Sequence, residues 1–86
     1  MERYSIVFKK SVLKDLKRIP QKDVRRIVAA IKALADNPRP PQSSKLSGDD
    51  KYRLRSGSYR ILYAIEDDKL IVCVVKVRHR KDVYRA

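Results

Sequence analysis

Apolar and polar residues alternate at the start of the chain, and the apolar spacing then becomes helical. Residues 3–8 alternate, which predicts a β-strand. Over residues 11–19 the apolar positions recur every three or four residues and stop before Pro20, which cannot continue a helix. A second such stripe covers residues 21–35. The pattern therefore predicts a strand followed by two helices, with Ser11 capping the first helix.

Alternation returns in the second half of the chain. Residues 39–50 are rich in Pro, Ser, Gly and Asp, and we expect them to cross the surface from helix to sheet without regular structure. In residues 52–63, YRLRSGSYRILY, the pair Gly57-Ser58 separates two alternating runs, which is typical of a type II′ hairpin. A turn at Asp67-Asp68 and the apolar run 70–77 add an interior strand.

These elements predict one α+β domain over residues 1–86. The N-terminal strand precedes a two-helix hairpin and a three-stranded antiparallel meander. We expect a two-layer structure, in which both helices pack on one face of a curved four-stranded sheet. At 86 residues the chain can bury one small core but not two.

The predicted hairpin concentrates positive charge on one face. Its register sets Arg55 opposite Arg60, with Arg53 on the same side, while the tyrosines point to the other side. Like charges directly across two strands destabilise a sheet by a few tenths of a kcal/mol up to about 1 kcal/mol. The arrangement therefore indicates a surface kept for an anion.

The composition also indicates an anionic partner, because 22 Lys and Arg against 10 Asp and Glu give a net charge of +12. A phosphate backbone is the polyanion that such a surface attracts most strongly, whereas an anionic membrane is usually bound by a basic amphipathic helix. No apolar run is long enough to cross a bilayer, and the first ten residues do not resemble a signal peptide. We expect a cytoplasmic protein that binds nucleic acid and no membrane.

A second basic cluster follows the last strand, RHRKDVY, from Arg78 to Tyr84, and we expect it to converge on the arginines of the hairpin. One His and one Cys cannot build a zinc site, so we predict no metal and no cofactor. Arginines stabilise charge but are poor bases, because their pKa is above about 12. His79 and Tyr84 are therefore the candidate proton carriers.

The segments KLSGDDKYRLRSGSYRILY and VVKVRHRKDVYR together resemble the RelE/ParE superfamily of toxins from type II toxin–antitoxin pairs. The resemblance covers nearly the whole chain. Its RelE branch implies a ribosome-dependent, metal-independent endoribonuclease. Such an enzyme cuts mRNA in the ribosomal A site by attack of the 2′-hydroxyl and leaves a 2′,3′-cyclic phosphate. It also implies a RelB-like antitoxin as partner, with a free monomer and a silenced hetero-oligomer.

Carried over by position, Arg60 resembles the arginine that braces the scissile phosphate. Arg78 or Arg80 resembles the tail arginine that acts as acid or charge stabiliser, and Tyr84 resembles the tyrosine that stacks on a base. Further contacts with RNA phosphates are expected from four flanking cations: Lys45, Lys51, Arg80 and Lys81.

Arg53 and Arg55 match two basic positions that are lysines in the best-known member of the branch. An arginine hardly loses its proton, so His79 becomes the preferred general base. The same departure keeps two alternatives open: a ParE-like inhibitor of DNA gyrase with the same fold, and a basic RNA- or ribosome-binding module without catalysis. Each candidate residue also has an ordinary structural explanation. The arginines can be solvated residues on the strand surface, and the ring of His79 can be packed in the structure.

Overall fold

The computed structural model describes residues 3–48 and 50–79, which form two helices and one five-stranded sheet. The sheet order is β1-β5-β4-β3-β2, with β1 parallel to β5 and the other neighbours antiparallel. The α+β prediction is confirmed, and β5 is an interior strand as expected. The elements are β1 Ser5–Phe8, α1 Lys10–Lys17, α2 Gln21–Ala33, β2 Ser43–Lys45, β3 Lys51–Ser56, β4 Tyr59–Glu66 and β5 Ile71–His79.

The prediction of four strands was one strand short, because β2 forms within the segment expected to be irregular. Pro and Ser have little strand propensity, but the backbone of Ser43–Lys45 pairs with β3, setting Ser43 opposite Leu54. The Ser43 hydroxyl donates a hydrogen bond to the Pro40 carbonyl, 2.7 Å away, which fixes the turn before the strand. Pairing with a neighbour therefore overrides local preference here.

Both helices lie close to their predicted bounds, but the first helix begins one residue early. Its N-cap is Lys9, without a side-chain cap, so the prediction that Ser11 caps it was wrong. Pro20 stands between the helices, and its carbonyl accepts the backbone N–H groups of Asp23 and Val24 in the first turn of α2. Within the described residues, neither helix is long and apolar enough to span a membrane.

The helices cover one face of the sheet and bury the core there. Tyr63 is fully buried, and its hydroxyl donates to the Pro38 carbonyl at 2.7 Å. This satisfies a polar group that would otherwise cost about 1–3 kcal/mol to bury. The remaining core side chains come from both layers: Val12, Ile27, Ile31, Leu34, Leu54, Ile61, Val72, Val74 and Val77.

A polar network ties the segment after α2 to the sheet. The guanidinium of Arg39 donates two hydrogen bonds to the Asp67 carboxylate, at 3.1 and 2.9 Å, and a third to the Tyr52 hydroxyl at 3.0 Å. The Tyr4 hydroxyl donates to Asp67 as well, at 2.7 Å. These bonds hold the pKa of Asp67 at about 2, with the Arg39 bonds as the main cause. Four parts of the chain are thereby joined: the N-terminal segment, the segment after α2, β3 and the turn after β4.

Candidate functional site

The hairpin of β3 and β4 forms as predicted and aligns its arginines. Gly57 has a φ of +58°, which suits the first turn position of a type II′ hairpin. In the resulting register Arg55 is opposite Arg60, and on the next strand Arg60 is opposite Arg78. Paired residues share a face and hold their Cβ atoms about 4.5–5.5 Å apart. We call these three residues the arginine row.

The next paired positions on the same face bring further cations. Arg53 is opposite Leu62, which is opposite Lys76. We call this side of the sheet, which lies opposite the helix-covered face, the arginine face. It consists of the row and its neighbours on β3, β4 and β5: Lys51, Arg53, Arg55, Arg60, Leu62, Lys76 and Arg78.

Arg60 is the buried member of the row. It is 8% exposed, whereas Arg55 and Arg78 are exposed and Arg53 is half-buried. A cleft of about 170 Å³ lies over this region and is lined by Leu46, Arg53, Arg60, Leu62 and Arg78. Two leucines lower the local polarity, which strengthens the attraction of the arginines for an anion in the cleft.

The strands themselves bring no carboxylate near the row. Strands β2 to β5 contain one acid, Glu66, which is six residues from Arg60 along β4 and hence about 20 Å away. Two arginines outside the arginine face form ion pairs: Arg3 with Asp36 at 2.9 Å, and Arg39 with Asp67 at 2.9 Å. Among the residues of strands β2 to β5, positive charge therefore accumulates along the row.

A β-bulge in β5 decides which tail residue joins the row. Tyr63 pairs with Val74 and Leu62 pairs with Lys76, so Val75 is an extra residue. Because of this extra residue, Val74 and Val77 both face the core, at 0% and 3% exposure. Lys76 and Arg78 consequently lie on the arginine face. Without the bulge, strict alternation from Val74 would send both to the helix-covered face.

The same bulge sends His79 to the helix-covered face. His79 pairs with Tyr59, and the two rings meet edge to face with their centroids 5.1 Å apart. The expected convergence of two basic clusters therefore holds for Arg78, whereas His79 lies on the opposite side of the sheet. Neighbouring positions of one strand separate here because a strand alternates its side chains.

The remaining predicted residues divide into three groups. Lys51 lies on the arginine face, opposite Ala64 and two residues before Arg53. Lys45 pairs with Tyr52, so the register directs it to the helix-covered side, where it is exposed. The other three lie outside the described residues: Arg80, Lys81 and Tyr84.

Lys76 is a member of this surface that the sequence analysis did not single out. Simple alternation along the apolar strand β5 assigns Lys76 to the core side, so the sequence pattern gives no reason to expect it on the arginine face. The bulge becomes visible only once burial is known, because the buried Val72, Val74 and Val77 are separated by two and then three residues, whereas the sequence also has a valine at position 75. Such a change of spacing is the mark of a bulge.

The chemistry available on the arginine face is charge stabilisation. Guanidinium groups grip phosphate oxygens with paired N–H donors and stay charged at any physiological pH. Among residues 3–48 and 50–79, no three His, Cys, Asp or Glu side chains are grouped so that they could hold a metal ion. The described site can therefore bind a phosphodiester and stabilise added negative charge through its arginines.

Comparison with known proteins finds several that are similar to this chain. A family model described as the ParE toxin of the type II toxin–antitoxin system parDE matches residues 6–84. The putative toxin RelE1 of Methanocaldococcus jannaschii is 31% identical, over 96% of this chain and 97% of that protein. A putative RelE-like toxin protein of Escherichia coli is 34% identical, over 95% of this chain and 90% of that protein.

A solved structure agrees with these relatives. A chain of the toxin–antitoxin complex RelBE2 from Mycobacterium tuberculosis superposes with a TM-score of 0.80 and 27% identity, covering 91% of this chain and 99% of that chain. The overall fold of this chain therefore recurs in that relative.

Proposed function

Because the chain belongs to the RelE/ParE family of toxins from type II toxin–antitoxin systems, we propose that it is a RelE-like, ribosome-dependent endoribonuclease. In this proposal it cleaves mRNA in the ribosomal A site and thereby stops translation. The single observation that carries the proposal is the arginine row, with the buried Arg60 between Arg55 and Arg78.

The proposed reaction is an internal transesterification of RNA. The 2′-oxygen attacks the adjacent phosphorus, the bond to the 5′-oxygen breaks, and a 2′,3′-cyclic phosphate and a free 5′-hydroxyl result. The phosphorus passes through a five-coordinate state with extra negative charge on its non-bridging oxygens. Donors fixed before the reaction stabilise such charge best, and removal of one donor from a site of this kind typically costs about 10²–10³ in rate.

The row supplies that charge stabilisation without a cofactor. Arg60 is braced by strands on both sides and is nearly excluded from water, so its charge acts in a medium of low polarity. Arg55 and Arg78 flank it on the neighbouring strands and can grip the same phosphate or the next one. Like charges on paired positions repel one another, and a bound RNA phosphate offsets this repulsion.

His79 is the proton acceptor that the sequence favours, and the variant His79→Gln tests this role. If the imidazole carries a proton, His79→Gln slows cleavage by about 10²–10⁴-fold and changes the pH–rate profile. If the ring only packs on Tyr59, the variant melts at a lower temperature and keeps the profile. The edge-to-face contact with Tyr59 favours the second outcome. Tyr84 stays proposed as the residue that stacks on a base, and Arg80 and Lys81 as phosphate contacts.

We further propose a RelB-like antitoxin as the physiological partner. The support is that several solved relatives are toxin–antitoxin complexes, including RelBE2 of M. tuberculosis and the archaeal RelE–RelB complex of Pyrococcus horikoshii. The toxin is then a monomer when free and part of a hetero-oligomer when silenced, in the cytoplasm. Co-expression with the protein from an adjacent reading frame, followed by light scattering of the purified complex, tests this partner.

The experiment that tests the nuclease compares ribosome-bound mRNA with naked mRNA. Purified protein is added to ribosomes stalled at a defined codon, and the cut position is mapped by primer extension. We expect cuts within the A-site codon on ribosomes and no comparable cuts in free mRNA. Intact mRNA on ribosomes, at protein concentrations that saturate binding, would rule out the proposed activity.

The ParE branch provides the second candidate, because the matching family model is described as a ParE toxin. Arginine at positions 53 and 55, in place of lysine, points the same way. An inhibitor of DNA gyrase would block supercoiling in a purified gyrase assay and leave ribosome-bound mRNA uncut. Salt-sensitive RNA binding with neither activity would instead indicate a binding module without catalysis.

A further inference from the structure

A second, larger cleft lies where β5 continues beyond the end of β1. The last pair between these strands is Phe8 with Val74, so residues 75–79 have no strand beside them on that edge within the described part of the chain. The end of α1 lies there instead, and the backbone N–H of Val77 donates to the Asp15 carboxylate at 3.3 Å. This edge cleft has a volume of about 540 Å³.

The lining of the edge cleft is mostly cationic. Arg18 from the end of α1 and Lys76 and Arg78 from β5 all border it. Asp15 is the acid of the lining, and one oxygen of its carboxylate accepts the Val77 N–H. Three basic side chains against one carboxylate give the lining an excess of positive charge, which attracts an anionic ligand.

Flat rings give the cleft a second kind of surface. Tyr59 and His79 border it with their packed rings, and Ile19 adds an apolar side chain. Nucleobases stack on such rings regardless of sequence, by about 1–3 kcal/mol per base, while cations track the phosphates. Cations combined with rings suit a nucleotide better than they suit a free phosphate ion.

Arg78 connects this cleft to the catalytic surface. It is one of the two exposed ends of the arginine row, and it lines both the smaller cleft over Arg60 and the edge cleft. An RNA strand whose phosphate lies on the row therefore reaches the edge cleft without leaving positively charged surface. Lys76, which the bulge directs to the arginine face, extends the same path.

From this continuity we propose that the edge cleft is a second subsite for single-stranded RNA. It holds the nucleotide next to the one whose phosphate is bound by the arginine row. The proposal rests on the proposed function and extends it, since it adds Arg18 and Lys76 to the RNA contacts and names α1 as one wall of the substrate path.

The test measures the binding of a fluorescent single-stranded RNA hexamer by anisotropy across a salt series. Arg18→Gln removes a charge from the edge cleft without touching the cleft over Arg60. The matched control is Arg25→Gln, which makes the same change at an exposed position of α2 outside both clefts. Thermal melts of both variants, monitored by circular dichroism, establish that each is folded.

We expect Arg18→Gln to weaken binding several-fold and to lower the slope of log K against log salt by about 0.7, the value for one phosphate contact with a single strand. Arg25→Gln should change both quantities less. Equal changes in the two variants would mean that only overall charge matters, and the subsite would be rejected.

A third variant separates this proposal from the proposed function. If Arg60→Gln weakens hexamer binding but Arg18→Gln does not, the arginine row binds RNA and only the proposal of an RNA subsite in the edge cleft is rejected. If neither variant differs from the control, both proposals lose their support. If Arg18→Gln leaves RNA binding intact but weakens the antitoxin complex, the cleft belongs to a protein partner and the RNA subsite is overturned.

Discussion

The two faces of one sheet have opposite tasks, although they are built from alternate residues of the same strands. Ile61 and Val77 point to the helices and are excluded from water, while their neighbours Arg60 and Arg78 line the arginine face. One face gains its stability from apolar burial. The other gathers like charges whose repulsion costs stability in the free protein. This contrast between the two faces supports the proposal that the arginine row serves a ligand.

Truncating neighbouring residues on opposite faces of β4 should have very different effects on stability. Ile61→Ala should lower the free energy of unfolding by about 2–5 kcal/mol, because Ile61 is completely buried under the helices. Leu62→Ala should cost clearly less, since Leu62 is half-buried at the arginine face. Urea unfolding followed by circular dichroism measures both. Equal losses would show that both faces hold the fold together.

Arg60 provides the corresponding test of activity. Arg60→Gln should slow cleavage on programmed ribosomes by about 10²–10³-fold, because it removes the central donor of the row. Arg60→Lys should recover part of the rate, since it keeps the charge but loses the paired N–H donors. A single-turnover assay measures the rates, and a melting curve confirms the fold. A folded, fully active Arg60→Gln enzyme would refute the assignment.

Arg55 sharpens the claim that the row is strained without its ligand. Arg55→Gln removes one like-charge pair with Arg60, so the variant should be more stable by a few tenths of a kcal/mol up to about 1 kcal/mol. The gain should shrink at high salt, because Arg55 is exposed. Arg25→Gln on α2 is the control for net charge. A less stable Arg55→Gln protein would indicate that this arginine supports the fold.

The smallest effect is expected from the paired charges on the helix-covered side. The Arg39 and Tyr4 bonds lower the pKa of Asp67 from 3.8 to about 2, so its ionised form favours the folded state. This stability is present above pH 3.8 and is lost as the pH falls through about 2. Asp67→Asn should therefore melt below wild type at neutral pH.

The difference between Asp67→Asn and wild type should close on acidification. Melting temperatures measured from neutral pH down to about pH 2 test this, with Asp68→Asn at the neighbouring exposed position as the matched control. A gap that stays constant down to the lowest pH would show that Asp67 stabilises the fold without regard to its charge.

Local sequence pattern predicts most of the fold, but it does not predict on which face of the sheet the residues at the end of β5 lie. The helical stripes and the Gly57 turn follow from spacing and backbone preference, which act over a few residues. The strand β2 and the bulge at Val75 depend on partners far away in the chain, so local pattern does not contain them. A single extra residue exchanged the faces of Arg78 and His79 and thus changed the candidate site.

We propose that the arginine row holds the phosphate of an RNA strand. The most direct measurement follows the side-chain Nε–Hε signals of the arginines by NMR, while an RNA trinucleotide with a 2′-deoxy group at the cleavage point is added. We predict saturable shifts for Arg55, Arg60 and Arg78, with Arg3 and Arg39, which are paired with carboxylates, unchanged. Equal shifts for all exposed arginines, or shifts that bypass Arg60, would contradict the account.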